Sequence, residues 1–286
     1  MTAEHPYRGR RAALATKHDK LSLVGPALAL HTGLEVVHVA VDTDVLGTFT
    51  GEVPRVGSPW ETAVAKARLA MAHSGLSIGI ASEGTFGPLE GAPFVQADRE
   101  LVVLVDDELG IEVGEVEVGI GLPTLTVDVS VGADGLSLDL IPLERAGFPE
   151  HGLIVRPVGS LALVVKGIHS LPELERAIAR CAEEGCTATV RVESDLRANH
   201  HPSRREVIAR AAERLALRLA SCCPSCGAPG WGVGRRDAGA PCAECGMPTR
   251  VVRCEHWVCA ACDHEEQRLT IESAGADPAH CPRCNP

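Results

Sequence analysis

The chain has 286 residues and a formal net charge of −11, from 38 acidic and 27 basic side chains. That balance excludes a protein that coats polyanions through bulk charge, yet it leaves room for a local cationic pocket. Aromatic residues make up only 3%, so the core must be aliphatic, and no apolar run reaches bilayer-spanning length.

A chain of this length suggests one larger domain and one smaller one, divided at 1–220 and 221–286. Arg8, Arg10 and Arg11 are not followed by a signal-type hydrophobic block, which sets the expectation of a soluble, cytoplasmic protein. Arg11 to Thr16 reads as a short buried strand running into Lys17-His18-Asp19-Lys20. A polar, basic turn ahead of a helix is a common phosphate-binding position, because helix N-termini present free N–H groups. Asp19 reads equally well as a simple N-cap. Pro26 should interrupt or restart the helix and Gly33 close it; Glu35 to Ala40 is a second strand. The loop 42–55, rich in glycine, hydroxyls and acids, is a functional or a plain surface connection. Arg55 beside it is a candidate partner for phosphate or carboxylate.

Ser58-Pro59-Trp60-Glu61 carries the marks of a helix start, with serine at the N-cap and glutamate placed to reach back. The helix buries Val64, Ala67 and Met71 and ends at Gly75. Leu76 to Ala81 is then a strand emptying into Ser82-Glu83-Gly84. Ligands collect at the carboxyl ends of strands in open α/β sheets, so Glu83 is expected at a site. Glu61 reads either as a second acid of that site or as a capping residue alone, and Lys66 as a pocket cation or a solvated lysine.

Thr85 to Ala97, with its glycines and prolines, should be an irregular rim. Glu100 to Asp107 is a buried strand ending in two acids, Asp106 and Asp107, which are turn residues or help to hold a divalent ion. Residues 111–118 alternate as a strand with one wet face. Thr124 to Val131 and Leu136 to Ile141 continue the sheet through a hairpin at Ala133-Asp134-Gly135.

Leu161 to Val165 is another strand. A second capping box, Ser170 to Glu173, opens a helix to about Glu184, and Thr187 to Val192 is a strand. The polar turn after it gathers Arg197, Asn199, His200, His201 and Arg204, where functional use is expected. Ser203 to Glu206 forms a third capping box. The helix it opens buries Val207, Ile208, Ala211, Leu215 and Leu219, with Arg210, Arg214 and Arg218 as a solvated stripe.

Ten of the twelve cysteines lie after residue 220. Cys181 and Cys186 are expected as small buried residues. The pairs Cys223/Cys226 and Cys242/Cys245, followed by Cys259/Cys262 and Cys281/Cys284, have the spacing of tetrahedral four-thiolate zinc sites. Reading the pairs consecutively gives one site from 223, 226, 242 and 245 and another from 259, 262, 281 and 284. Cys222, Cys254, His256, His264 and His280 remain as spare ligands, and an exchange of Cys222 for Cys223 stays open. Four thiolates leave no position for water, so both zinc ions would be structural. From Ser221 onward six Lys/Arg face eight Asp/Glu, 6 − 8 = −2. Protein contact or homodimerisation therefore fits this tail better than nucleic acid, with Trp231 and Trp257 as core or interface residues.

Glu61-Thr-Ala63-Val-Ala-Lys66-Ala67, with Gly75-Leu76 and Ser82-Glu83-Gly84 in register, resembles the inosine and xanthosine triphosphate pyrophosphatases that hydrolyse non-canonical purine nucleotides. Ala15 to Lys20 is similar to their phosphate turn, without its usual asparagine, and Pro202-Ser203-Arg204 to their late serine–arginine turn. Ser82 stands where one branch has an acid, and the loop 42–55 has no counterpart. The segments GTFTGEVPR, ASEGTFGP, DLRANHHPSR and the terminal CNP also resemble a bacterial group described only as a domain of unknown function.

The first resemblance implies an α/β fold, a mixed sheet with flanking helices, and a Mg²⁺-dependent hydrolase of a nucleoside triphosphate or related phosphate ester. Glu61, Glu83 and Asp106 would hold the ion. Lys20, Arg55, Lys66 and Arg204 would neutralise phosphate charge, Thr16, Lys17, Arg197 and Ser203 would contact the substrate, and Asn199 or His200 the base. The alternative is a nucleotide-binding scaffold without turnover, whose zinc tail docks a protein; Ser82 in place of an acid favours it.

Overall fold

The computed structural model describes residues 4–16, 19–47, 53–55, 57–132, 139–160, 163–270 and 275–286. Lys17 and the turn Ala133-Asp134-Gly135 lie outside them. Three sheets organise the chain. The first has the order β2-β1-β3-β4-β5 and is built from β1 (Arg11–Ala15), β2 (Glu35–Val39), β3 (Ile78–Leu89), β4 (Ala92–Asp106) and β5 (Ile111–Ile120). β1 is parallel to β2 and to β3, whereas β3, β4 and β5 form an antiparallel meander. A mixed α/β architecture with flanking helices is therefore established.

Helix α1 (Leu21–Thr32) and α5 (Pro202–Ala220) cover one face of this sheet, around Leu14, Ile80, Val102, Leu104, Ile208 and Leu215. α1 runs unbroken through Pro26 and ends at Gly33, which takes the left-handed conformation an L-residue disfavours. Helix α2 (Pro59–Ser74) covers the other face, where Ala63, Ala67 and Met71 pack on Ala81, Leu101 and Val103. Its alanines, and Gly79 opposite them, allow close approach: a Cβ at Gly79 would press on the Ala67 carbonyl and the Met71 side chain.

Glu83 is not at a strand tip. β3 continues to Leu89 and pairs with β4 from Ala92, so Thr85 to Ala97 forms a long hairpin arm rather than an irregular rim. The glycines and prolines there sit in a paired ribbon because the cross-strand ladder outweighs local propensity.

The second sheet, β6-β9-β7-β8, consists of β6 (Thr126–Ser130), β7 (Leu153–Pro157), β8 (Val165–Ile168) and β9 (Thr189–Ser194), and is antiparallel throughout. It has its own core, with α3 (Leu140–Arg145) and α4 (Leu171–Glu184) contributing Leu143, Leu174, Ile178 and Cys181. Two expectations change here. Residues 140–145 are helical, opened by Asp139 as N-cap, instead of a strand. Cys181 is buried as expected, but Cys186 is exposed, in a left-handed turn after α4.

The third sheet is a meander of β10 (Gly232–Ala238), β11 (Val252–Val258) and β12 (Glu265–Leu269). It docks on the first sheet through Ala260, which packs on the core around Val113, and through Arg218, which donates to the Gly230 carbonyl. No helix among the described residues is long and apolar enough to cross a membrane.

Candidate functional site

In the order 2-1-3 the chain leaves β1 in opposite directions, and β1 stops at Ala15 while β3 and β4 run on. A crevice must open at that switch point. A small polar recess of ≈ 60 Å³ lies there, lined by Thr16, Lys20, Thr43, Asp44, Lys66, Ser82, Glu83, Gly84 and Arg204. Lys66 on α2 donates to Glu83 Oε2 at 2.7 Å, and Arg55 pairs with Glu83 Oε1 at 2.8 Å while also donating to the Gly84 carbonyl. Lys20 reaches in from the other side of the sheet and donates to Ser82 Oγ at 2.8 Å. Burial is the chief cause that lowers its pKa to about 8, followed by the nearby Arg204 charge. An ammonium offers three donors, and among the described residues Ser82 is the one hydrogen-bond acceptor the Lys20 amine has.

Beneath the recess lies a feature the sequence did not signal. Asp98 and Glu100 share one face of β4 and are fully buried, and Arg204, 2% exposed, donates through Nε to Glu100 and through Nη1 to the Leu196 carbonyl. Gly84, directly across from Glu100, leaves the space that the guanidinium fills. Asp98 has its pKa raised to about 8, by burial first and by the Glu100 charge second. Buried acids next to a buried arginine read in sequence as ordinary strand residues; only the cross-strand glycine hinted at a close approach.

The three expected metal ligands do not converge. Glu61 accepts from the Ser58 backbone N–H at 2.7 Å while Ser58 Oγ accepts from Glu61 N–H, a complete capping box that lowers the Glu61 pKa. It precedes Lys66 by five residues, about 140° around a helix, and so cannot share the face that meets Glu83. Asp106 pairs with Ile78 at the opposite end of β3, five residues or about 17 Å from Glu83. There it accepts from the backbone N–H groups of Glu108 and Leu109 and meets Arg10. This is the turn role open to it from sequence.

The late polar turn also separates. Only Arg204 lines the recess. The first turn of α5 is capped by His201, whose Nδ1 accepts from Arg204 N–H, in place of the expected box from Ser203. Burial lowers the His201 pKa to about 4, so it is the neutral ring an acceptor must be, with Nε2–H donating to the Pro123 carbonyl. Ser203 instead meets His151 Nε2 at 2.9 Å. Arg197 makes a bidentate pair with the buried Asp195, which also accepts from Gly167 N–H on β8. Asn199, His200 and His169 form a chain ending on the Pro149 carbonyl. A carbonyl only accepts, so His169 Nδ1 donates to it; the amide nitrogen of Asn199 only donates, so His200 Nε2 accepts and His200 Nδ1–H donates to His169 Nε2. These contacts stitch the β9–α5 turn to the second sheet.

A larger cleft of ≈ 450 Å³ separates the first two sheets, lined by Phe86, Gln96, Thr126, Ile154, Arg156 and Glu193 among others. It adjoins the recess through Leu196, a lining residue whose carbonyl Arg204 binds.

All eight expected cysteines form four-sulfur groups, but with a different partition. Cys223, Cys226, Cys259 and Cys262 make one and Cys242, Cys245, Cys281 and Cys284 the other. The pairs alternate. β10 carries the chain from the first site to the second, β11 returns antiparallel to bring Cys259 back beside Cys226, and β12 leaves again. A meander can only place alternate pairs at the same end. Sulfurs lie 3.9 and 3.6 Å apart across each group. Four thiolates about 2.3 Å from a tetrahedral zinc ion would stand about 3.8 Å apart, so both groups could hold zinc. None of the spare residues joins them. Cys222 is exposed, and His256 bridges Asp237 and Glu265 across the three strands at 2.8 and 2.7 Å, contacts that raise its pKa. Trp231 is buried against His264 and neighbours Trp257, over which Arg268 lies.

Fold and sites together define a mixed α/β protein with a cation-lined recess and a C-terminal module of two interleaved four-cysteine groups. The family described as a domain of unknown function (DUF6671) matches residues 66–286, and the chain belongs to it. No curated protein and no solved structure matches the chain.

Proposed function

We propose that the recess binds the phosphate end of a nucleotide or another phosphorylated small molecule, and that the adjoining cleft receives the rest. The observation that carries this reading is the convergence of Lys20, Lys66 and Arg204 from three separate segments on one small recess at a strand's carboxyl end. With Asp98 holding its proton, Lys20, Lys66, Arg204 and the neighbouring Arg55 against Asp44, Glu83 and the buried Glu100 give 4 − 3 = +1 in a protein of net −11. Such a local excess is otherwise costly to bury and is relieved by an anion. Phe86 offers a ring and Gln96 an amide that both donates and accepts for a heterocycle, while Arg156 and Glu193 line the cleft as a pair bonded to each other.

Of the two activities compatible with a phosphate pocket, binding without turnover is the better supported. Magnesium needs carboxylates with free oxygens, and Glu83 already has one oxygen on Lys66 and the other on Arg55. A Mg²⁺-dependent pyrophosphatase of the inosine triphosphate type would require Glu83 to exchange these partners when substrate and ion enter together. The cysteine-rich module fits a reducing, cytoplasmic setting and, with its acidic balance, docking of a protein. The test is thermal shift and pyrophosphate release over a nucleotide panel with and without Mg²⁺. Stabilisation without turnover supports the binding reading, turnover supports the hydrolase, and no shift by any phosphorylated compound contradicts both.

A further inference from the structure

Asp98 and Glu100 present a contradiction in hydrogen bonding that a single proton resolves. Both are fully buried. Both oxygens of Asp98, and Oε2 of Glu100, have no hydrogen-bond partner among the described residues, yet the two carboxyl groups stand two residues apart on one face of β4 with the same Arg204 Nε beside both. Two carboxylates are acceptors only and repel at that range; a carboxylic acid beside a carboxylate makes a strong bond. Arg204 Nε sits on the other oxygen of Glu100 and 4.0 Å from Asp98. This marks Glu100 as the charged partner and Asp98 as the proton carrier.

The surroundings agree. From β3 and β5 the cross-strand neighbours of Asp98 are Phe86 and Gly119, which bring no charge. The ionisable groups that act on it are Glu100, Arg204 on α5 and Lys20 ahead of α1. With the proton present, the cluster is one carboxylate against two cations, a surplus of one positive charge facing the recess. With the proton gone, that surplus vanishes.

We propose that Asp98 and Glu100 share one proton beneath the recess, and that this proton keeps the charge of Arg204 and Lys20 available to a bound phosphate group. Asp98 is thus a positioning residue, acting on the ligand through Glu100 and Arg204, and anion binding is coupled to proton retention. The coupling rests on the phosphate-binding reading above; the shared proton does not.

Two measurements separate them. Infrared spectroscopy of the full chain should show a carboxylic-acid C=O stretch at neutral pH that fades as pH passes about 8 and is absent from Asp98→Asn. Carbon-13 labelling of aspartate assigns the band without the variant, should the variant fail to fold. Calorimetric titration with inorganic pyrophosphate then tests the coupling. Each linked proton steepens the loss of affinity by up to about tenfold per pH unit. Wild type, which sheds protons at both Asp98 and Lys20, should fall above pH 8 about tenfold more steeply per unit than Asp98→Asn, whose amide keeps its N–H at every pH. Absence of the acid band at neutral pH overturns the shared proton, and equal slopes overturn the coupling. The band without pyrophosphate binding at any pH overturns both the phosphate reading and the coupling.

Discussion

Arg204 reaches Glu100 across a position where one methyl group would stop it. An added Cβ at Gly84 would land on the guanidinium, so Gly84→Ala must push a buried, doubly bonded side chain aside. We expect a loss of about 1–3 kcal/mol, read by urea denaturation, together with loss of pyrophosphate binding; an unchanged midpoint would show that Arg204 yields freely. Asp98 gives a second test, with a definite sign. Its folded pKa of about 8 stands above the ordinary 3.8, so between those values the folded state holds a proton that the unfolded chain has lost. Its contribution to stability is therefore full below pH 4 and declines as pH rises to 8. The melting temperature of Asp98→Asn relative to wild type should climb across that window, and a difference independent of pH would contradict the assignment. Above pH 8 Lys20, whose pKa is lowered, acts in the opposite direction. At this scale part of the site was legible. The turn ahead of α1, the lysine of α2 and the late arginine were readable as cations near strand ends, and the 140° separation of Glu61 from Lys66 was available from helix geometry alone. Asp98 and Glu100 were not, because nothing local distinguishes a buried acid on a strand from an exposed one.

Among the elements, helices were read well because their signals are local: Ser58, Gly33 and Gly75 cap the helices they were expected to cap. Strand pairing is long-range, so the length of the β3–β4 arm and the transfer of β6 to a second sheet could not be read from single segments. The four-cysteine module shows the same division. Which cysteines gather was evident from C-x-x-C spacing, whereas which pairs join depends on the direction of the strands between them. Interleaving has a consequence that consecutive sites would not have. Each group closes one hairpin, β10–β11 or β11–β12, and the two hairpins share β11, so Cys245→Ser should lower zinc content from two ions toward none, with loss of near-ultraviolet signal from Trp231 and Trp257. Retention of one ion per chain with an intact tryptophan signal would contradict this coupling.

On the scale of the whole molecule, α5 is the common member. Its 19 residues extend about 28 Å, from Arg204 under the recess to Arg218 against the four-cysteine module. The first turn is tied through His201 and Ser203 to Pro123 and His151, in the segments that lead into β6 and β7 of the second sheet, and the last to β5 through Arg218 and Glu115. All three sheets thus bear on one helix, and the recess lies where its N-terminal turn meets the end of β1. The measurement that tests this account most directly is calorimetric titration of a nucleoside triphosphate into wild type, Lys20→Ala and Glu61→Gln. The account predicts saturable binding by wild type, its loss in Lys20→Ala, and its persistence in Glu61→Gln, whose side chain only caps α2. Binding lost equally in both variants, or absent from wild type, would contradict it.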